Sequence, residues 1–363
     1  MTSPTRCAEV VGLGLIGGSI GLALRSRGWH VSGGDLDQRR ASQALSIGAL
    51  DRVGEDADAE IAFVATPASA VPAEARRLVA AGRRRRLGGP VRAVTDVAGV
   101  KAQIVSDVDE PTFVGGHPMA GSEQEGLGGA DGDLFEGATW VLTPTVGTDS
   151  AAFSTVSSVV SSLGADVVAL PPDRHDTLVA MVSHVPHLTA ATLMGLAADT
   201  AEEHAALLRL AAGGFRDMTR IAAGHPGIWP DICTDNSAAI LVAFDSLLER
   251  LAAMREIVAT GDRLRLTELL EHARRARRNL PSRGPRPEST VELRVPVPDR
   301  PGVLAEVTTL IGELGVNIYD LEIAHSSEGP RGVLVMAIDA AEAEKVRLGL
   351  AGRGYRPSVG RLE

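Results

Sequence analysis

Val10-Val11-Gly12-Leu13-Gly14-Leu15-Ile16-Gly17-Gly18-Ser19 sets three glycines in a G-x-G-x-x-G spacing, directly after an apolar run and at the head of a helix-like one. The first glycine allows a tight turn, the second lets backbone approach a pyrophosphate, and the third lets the helix pack closely on its strand. Free N–H groups at the helix start then face the anion. By itself the spacing is a weak signal. Here a second apolar run, His30–Gly33, leads to Asp35, and the ribose hydroxyls of a dinucleotide call for an acidic residue about 20 positions past the motif. Gly12, Gly14, Leu15, Ile16, Gly17 and Asp35, with Thr66 and Asp96 at two further strand ends, form the candidate cofactor set. Asp35 and Asp37 would repel a 2′-phosphate, which favours NAD over NADP; Arg39 and Arg40 weigh against that preference. The competing reading is a glycine-rich turn that holds no ligand.

Outward from this motif, apolar runs at Ala8–Val11, His30–Gly33, Ile61–Ala65, Val91–Thr95, Thr112–Val114 and Trp140–Leu142 alternate with helical stretches such as Gly17–Arg27 and Val71–Ala81. Continuous apolar strands alternating with helices predict a parallel, doubly wound sheet of the Rossmann type, covered on both faces, over residues 1–171. Residues 172–280 are rich in Ala, Leu, Met, Arg and Glu and predict an all-helical domain. Its Leu188–Leu196 and Ala238–Leu248 runs are so apolar that a helical homodimer interface is expected. Residues 281–290 read as a linker, and 291–363 as a ferredoxin-like βαββαβ domain. Its elements are expected at Val291–Val297, Gly302–Leu314, Val316–Ala324, Gly332–Ile338 and Ala341–Leu350, with a last short strand.

A chain of 363 residues with 44% hydrophobic and 23% charged residues is that of a folded, water-soluble protein of two or three domains. The formal charge of −10 argues against nucleic-acid binding, so the clusters Arg83–Arg86 and Arg274–Arg278 read as solvated ends. Cys7 and Cys233 make neither a disulfide framework nor a metal-ligand pattern, which fits a reducing cytoplasm. No uninterrupted apolar run reaches the roughly 18 residues of a membrane span.

Four further segments carry the chemistry. They are GGHPMAGSE at 115–123 and LFEGATWVLTP at 134–144, both within 113–144, then SHVPH at 183–187 and GGFRDMTRIA at 213–222. In order and spacing, from residue 8 to about 280, the chain resembles the prephenate dehydrogenase family. The resemblance implies NAD-dependent conversion of prephenate to 4-hydroxyphenylpyruvate. In that reaction hydride leaves C4, the ring loses CO₂ and becomes aromatic. Such a reaction needs a base near the C4 hydroxyl and cationic groups for two carboxylates, and it needs no metal.

His117 is the expected base, because histidine with an ordinary pKa of about 6.5 is largely neutral at cellular pH. Arg220 is implied as the carboxylate partner, with a surface pair to Asp217 as its structural alternative. Arg216 is the weaker candidate. His187 is implied to line the substrate pocket. His184, three residues earlier, would share its helix face, and Pro186 between them suggests a helix start. A zinc site is the alternative for this pair, though no third ligand has suitable spacing. Ser122 and Glu123 share the loop of His117 and are candidates to shape the pocket. One departure stands out: where the family has serine in D-x-x-S-V-K, this chain reads Asp96-Val97-Ala98-Gly99-Val100-Lys101.

Residues 291–363 resemble an ACT domain through Asp299-Arg300-Pro301-Gly302-Val303-Leu304 and Gly315-Val316-Asn317-Ile318. The resemblance implies an amino-acid site at Asp299, Gly302, Val303, Leu304, Asn317 and Ile318, with tyrosine or phenylalanine as the effector. Subunit pairing alone is the other reading of this domain. Arogenate dehydrogenase and a non-catalytic, NAD-binding, amino-acid-responsive regulator remain alternatives for the whole chain.

Overall fold

In the computed structural model the described residues are 6–83, 92–121, 124, 126–204, 206–224, 226–279, 290–298, 300–325 and 331–361. The linker at 281–289, Arg84–Arg86, Ser122, Glu123 and Asp299 lie outside them. The first strands and helices are β1 (Cys7–Val11), α1 (Leu15–Ser26), β2 (His30–Gly34), α2 (Gln38–Ser46), β3 (Arg52–Val53), β4 (Ile61–Val64) and α3 (Val71–Arg83). They are followed by β5 (Ala93–Asp96), α4 (Ala102–Val108), β6 (Phe113–Pro118), β7 (Thr139–Thr143), α5 (Ser150–Ser162) and β8 (Asp166–Ala169). These strands form one sheet of order β3-β2-β1-β4-β5-β6-β7-β8. Along β4, Ile61 and Phe63 join the core that holds Ile20, Leu24 and Val159, while Ala62 and Val64 join the one that holds Leu78 and Ile104. Both faces are thus covered, which is why the run is continuously apolar rather than alternating.

The sheet is parallel through β6, but β7 pairs antiparallel to β6, with His117 opposite Val141. This differs from the all-parallel expectation, and the connection explains it. The described residues of 119–138 contain only a short 3-10 turn at Leu127–Gly129, and without a helical crossover among them the chain re-enters the sheet from the edge it left. The Leu127–Gly129 turn packs against α1 and α2, and the Asp131 N–H donates to Ser19 Oγ at 2.9 Å.

The helical region contains α6 (Pro172–Val179), a π turn (Ala180–His184), α7 (Val185–Glu203), α8 (Gly213–Thr219), α9 (Trp229–Asp235), α10 (Ser237–Thr260) and α11 (Arg263–Arg278). No strand occurs among its described residues. The span Pro172–Glu202 is long and apolar enough to cross a membrane. Its Ala180 and Val185, however, pack with Ile240 and Ala243 of α10 in a buried cluster. Pro186 stands in the first turn of α7, as expected of a helix start, but the helix is entered from the π turn and not from extended chain. Val185 keeps right-handed helical angles (φ −62°, ψ −42°), and the run passes through the proline because the wider π turn just before it makes room for the ring. Leu241, Val242, Leu248 and Leu251 of α10 present exposed apolar side chains.

The chain divides into two compact units, 1–252 and 253–363, the division falling within α10. In the second unit, β9 (Thr290–Pro298), α12 (Val303–Glu313), β10 (Asp320–His325), β11 (Arg331–Asp339), α13 (Ala343–Gly352) and β12 (Ser358–Arg361) follow the βαββαβ order. The sheet order is β10-β11-β9-β12, with antiparallel neighbours throughout. Val307, Ile311, Val346 and Leu350 of the two helices cover one face. The second strand starts later than its apolar pattern suggests. Gly315 takes φ +70° and the chain turns before β10 begins at Asp320.

Candidate active site

His117 stands one residue before the end of β6, at the carboxyl edge of the sheet. The two glycines ahead of it are steric requirements. A Cβ on Gly115 would meet Thr143 Oγ1 at 2.4 Å, and one on Gly116 would meet the Asp96 carbonyl at 2.6 Å. The His117 ring is half-buried, and its Nδ1 lies 2.9 Å from Nε2 of the fully buried His175 in α6. His175 Nδ1 in turn lies 2.7 Å from Asp176 Oδ1. The Asp176 carboxylate also accepts the N–H of Lys101 and of Ala102, each at 2.8 Å, at the start of α4.

These contacts fix the hydrogens. A carboxylate partner puts the His175 hydrogen on Nδ1, leaving a lone pair on Nε2. His117 Nδ1–H must then donate to it, and the lone pair of His117 is on Nε2. Burial holds the His117 pKa well below the ordinary histidine value, and repulsion from His175, Lys101 and His184 adds to it. The ring is a neutral acceptor. Gly99 sits against this nitrogen: a Cβ there would be 3.7 Å from His117 Nε2. The departure from the family pattern thus falls beside the nitrogen that carries the lone pair.

Beneath the site, Lys101 pairs with Asp96, both fully buried. Burial pulls the Lys101 pKa down against the attraction of Asp96 and Asp176. The two Asp96 oxygens accept the N–H of Gly116 and of Ala98, each at 3.0 Å. The Asp96 side chain, expected among the cofactor contacts, is therefore sealed inside, where it fixes the loop after β5 and the strand that carries His117.

His184 is buried, its Nδ1 3.2 Å from Asn236 Nδ2, which also donates to the Asp176 carbonyl at 2.9 Å. Burial lowers its pKa to about 4, outweighing the attraction of Asp176, while His175 depresses it further. The indole of Trp229 meets His184 edge-on at 6.1 Å and stacks on His187 at 3.8 Å with 20° between the planes. Both histidines thus share one face, as their spacing suggests. Among the described residues no cluster of three His, Cys, Asp or Glu side chains surrounds them. Arg220 is exposed at the end of α8, where a 3-10 turn to Ala223 begins. Arg216 is tied by Nε to the Ala211 carbonyl at 3.1 Å. Sequence reasoning missed His175, Asp176, Asn236 and Trp229; a His-Asp doublet at a helix start was the available signal.

At the glycine motif, Gly12 takes φ +91° and a Cβ on it would meet the Ala65 carbonyl at 2.4 Å, beside the Thr66 backbone. A Cβ on Gly17 would lie 1.9 Å from the Gly12 carbonyl. Gly14 caps α1 without a side-chain partner, and nothing lies within 4 Å of its Cβ position. Leu15 and Ile16 follow, half-buried, in the first turn. Asp35 Oδ2 accepts the Leu13 N–H at 2.8 Å and Oδ1 accepts that of Asp37 at 2.9 Å. Burial opposes its ionisation, but these donors and Arg40 outweigh burial, and its pKa falls below the usual carboxylate value. Arg40 pairs with Asp35, while the Arg39 N–H is capped by Asp37.

In the second unit a cavity of about 190 Å³ is lined by Arg300, Gly302, Val303 and Leu304 with Ile323 and Leu334. Gly302 caps α12 at φ +86°. Asn317 is exposed and Ile318 packs on the domain core; neither lines this cavity.

Comparison with known proteins agrees with this arrangement. Residues 20–169 match the family model described as "Prephenate dehydrogenase, nucleotide-binding domain", residues 171–272 its "dimerization domain", and residues 291–347 the ACT domain. The prephenate dehydrogenase of Bacillus subtilis (strain 168) is 33% identical over 350 residues, 93% of either chain. The structure of Synechocystis arogenate dehydrogenase is 31% identical with a TM-score of 0.65, covering 75% of this chain and 98% of that one. The prephenate dehydrogenase from A. aeolicus, solved with hydroxyphenyl propionate and NAD+, is 27% identical with a TM-score of 0.70, covering 77% and 100%. With a curated relative aligned along nearly its whole length, this chain belongs to the prephenate dehydrogenase family.

Proposed function

We propose that the protein oxidatively decarboxylates prephenate to 4-hydroxyphenylpyruvate with NAD. The observation that supports this most is the chain Asp176–His175–His117, which presents a neutral imidazole Nε2 at the carboxyl edge of the sheet. Gly12, Gly14 and Gly17 leave backbone N–H groups for the pyrophosphate, and Asp35 stands ready for the ribose. When bound, the nicotinamide supplies the acceptor for the hydride that leaves C4. His117 Nε2 takes the proton of the C4 hydroxyl as the O–H pair forms the C=O bond that expels the hydride, and returns it to that oxygen as CO₂ loss makes the ring a phenolate. His175 and Asp176 hold the ring and stabilise the imidazolium that forms. The departing CO₂ leaves its bonding pair to the ring, which becomes aromatic. Arg220 is the assigned partner for a substrate carboxylate and His187 an assigned pocket contact, while Ser122 and Glu123, in the sequence after His117, are assigned to shape the pocket.

In this reading residues 1–171 bind the dinucleotide, 172–280 complete the substrate site and pair two copies through the apolar side chains of α10, and 291–363 sense an aromatic amino acid at the Gly302 cavity, joined by the linker 281–290. The second reading, arogenate as substrate, is favoured by the Synechocystis enzyme among the structural neighbours. Parallel kcat/KM measurements with prephenate and arogenate decide between them. NADH formation from neither would leave the non-catalytic regulator. NAD is preferred over NADP, and equal kcat/KM with both would overturn the role of Asp35. Inhibition by tyrosine or phenylalanine that is lost on Gly302→Val supports the sensor; inhibition that persists places the effector at the active site.

A further inference from the structure

Asn236 lies between α9 and α10, only 5% exposed, and its carbonyl accepts the Ile240 N–H at 3.0 Å to start α10. Its side-chain nitrogen has two hydrogens. One goes to the Asp176 carbonyl at 2.9 Å and the other to His184 Nδ1 at 3.2 Å. The same Asp176 carbonyl accepts the helical N–H of Ala180, where α6 passes into the π turn. Both hydrogens of this buried amide are thus committed to the residues around His117.

We infer that Asn236 is a positioning residue for the proton relay, holding Asp176 in register with His175 and fixing His184 as the neutral tautomer with its hydrogen on Nε2. This rests on the reading of His117 as the base. Asp176 cannot move without breaking its bonds to the Lys101 and Ala102 N–H groups on one side and to Asn236 on the other. His184 accepts at Nδ1, so it adds no full charge next to His117, which already faces His175 and Lys101, with Asp96 and Asp176 behind Lys101. The depressed pKa of His184 agrees with that neutral state. Because Asn236 also starts α10, it ties this relay to a helix that runs on to Thr260.

The first test needs no substitution. In the full-length enzyme labelled with ¹⁵N-histidine, NMR should find His184 protonated at Nε2 only, at neutral pH. Protonation at Nδ1 would overturn the assignment. The second uses Asn236→Ala and Asn236→Asp, the latter keeping the shape without the N–H donors. Both should lower kcat about 10- to 100-fold, with NAD affinity unchanged, because a small displacement of a reacting group costs on that order. The acid limb of the pH profile should also move, as a loosened His175 changes both its repulsion of a protonated His117 and the bond its lone pair accepts from His117 Nδ1–H. Either variant folding with wild-type kcat and pH profile sinks the inference, as does a loss confined to thermal stability. If Asn236→Ala does not fold, Asn236→Asp and the tautomer measurement still decide. Full activity of His117→Asn would instead overturn the base assignment, leaving the tautomer result standing.

Discussion

Two helices of the nucleotide-binding sheet, α1 and α4, start at its carboxyl edge with N–H groups that no turn of their own can satisfy. At α1 the cap is Gly14, without a side chain and with open space around its Cβ position. At α4 the N–H groups of Lys101 and Ala102 are filled by the carboxylate of Asp176, from α6. The same electrostatic demand is left open for an outside anion in one place and met from within in the other. The inside anion then has a second duty, because the oxygen that accepts from Lys101 also accepts from His175. A helix cap has become the anchor of a proton relay.

The comparison breaks first at the relay. His117→Asn should lower kcat about 10³-fold and Asp176→Asn about 10²-fold, while NAD affinity stays near wild type. If Asp176 only capped α4, its replacement would cost about 1 kcal/mol of stability and leave turnover intact. Steady-state kinetics beside chemical denaturation separates the two outcomes.

The open N-terminus is tested by contrast between glycines. Gly14→Ala should leave stability unchanged, since its Cβ meets nothing within 4 Å, yet weaken NAD about tenfold by crowding the pyrophosphate. Gly12→Ala should fail to fold well, as its Cβ would lie 2.4 Å from the Ala65 carbonyl at φ +91°. Calorimetric titration with NAD and a thermal melt distinguish these. Unchanged NAD affinity in Gly14→Ala would mean the α1 start is not the anion site.

A smaller effect sharpens the picture of the filled side. Folding lowers the His184 pKa from 6.5 to about 4, so between those values the unfolded chain binds more protons than the folded one. Stability present above pH 6.5 should decline as pH falls toward 4, by up to about 3 kcal/mol from this residue, with His117 adding in the same direction. Denaturant midpoints measured across that range should slope accordingly; a flat profile would mean His184 stays solvated.

What the sequence disclosed and what it withheld divide along locality. The cofactor turn is written in six neighbouring positions, and a Cβ at Gly12 or Gly17 would meet the carbonyl of Ala65 or of Gly12. The order of elements was legible for the same reason, each being a run of one pattern. His175 and Asp176 were not, because their meaning depends on α4 and β6, both far away in the chain. Asp96 looked like a ligand from its place at a strand end, and only the packing of Lys101 beside it shows where its carboxylate goes. Pro186 marks the start of α7 in the sequence, but nothing local to it tells that a π turn leads into that helix. The reversal of β7 came from a loop whose length alone does not say whether it crosses the sheet.

The stack of Trp229 on His187 gives the molecule an optical reporter. Of the three tryptophans, Trp29 lies under Arg6 and Trp140 is sealed against Phe135, so among the described residues Trp229 alone carries an imidazole on its face. A protonated imidazole accepts an electron from excited indole far better than a neutral one, and so quenches its emission. Burial lowers the His187 pKa below 6.5, which places that quenching on the acid side of neutrality. The same indole also responds to any molecule that displaces or polarises His187. Emission from the unlabelled enzyme can therefore follow, in real time, what arrives beside that ring.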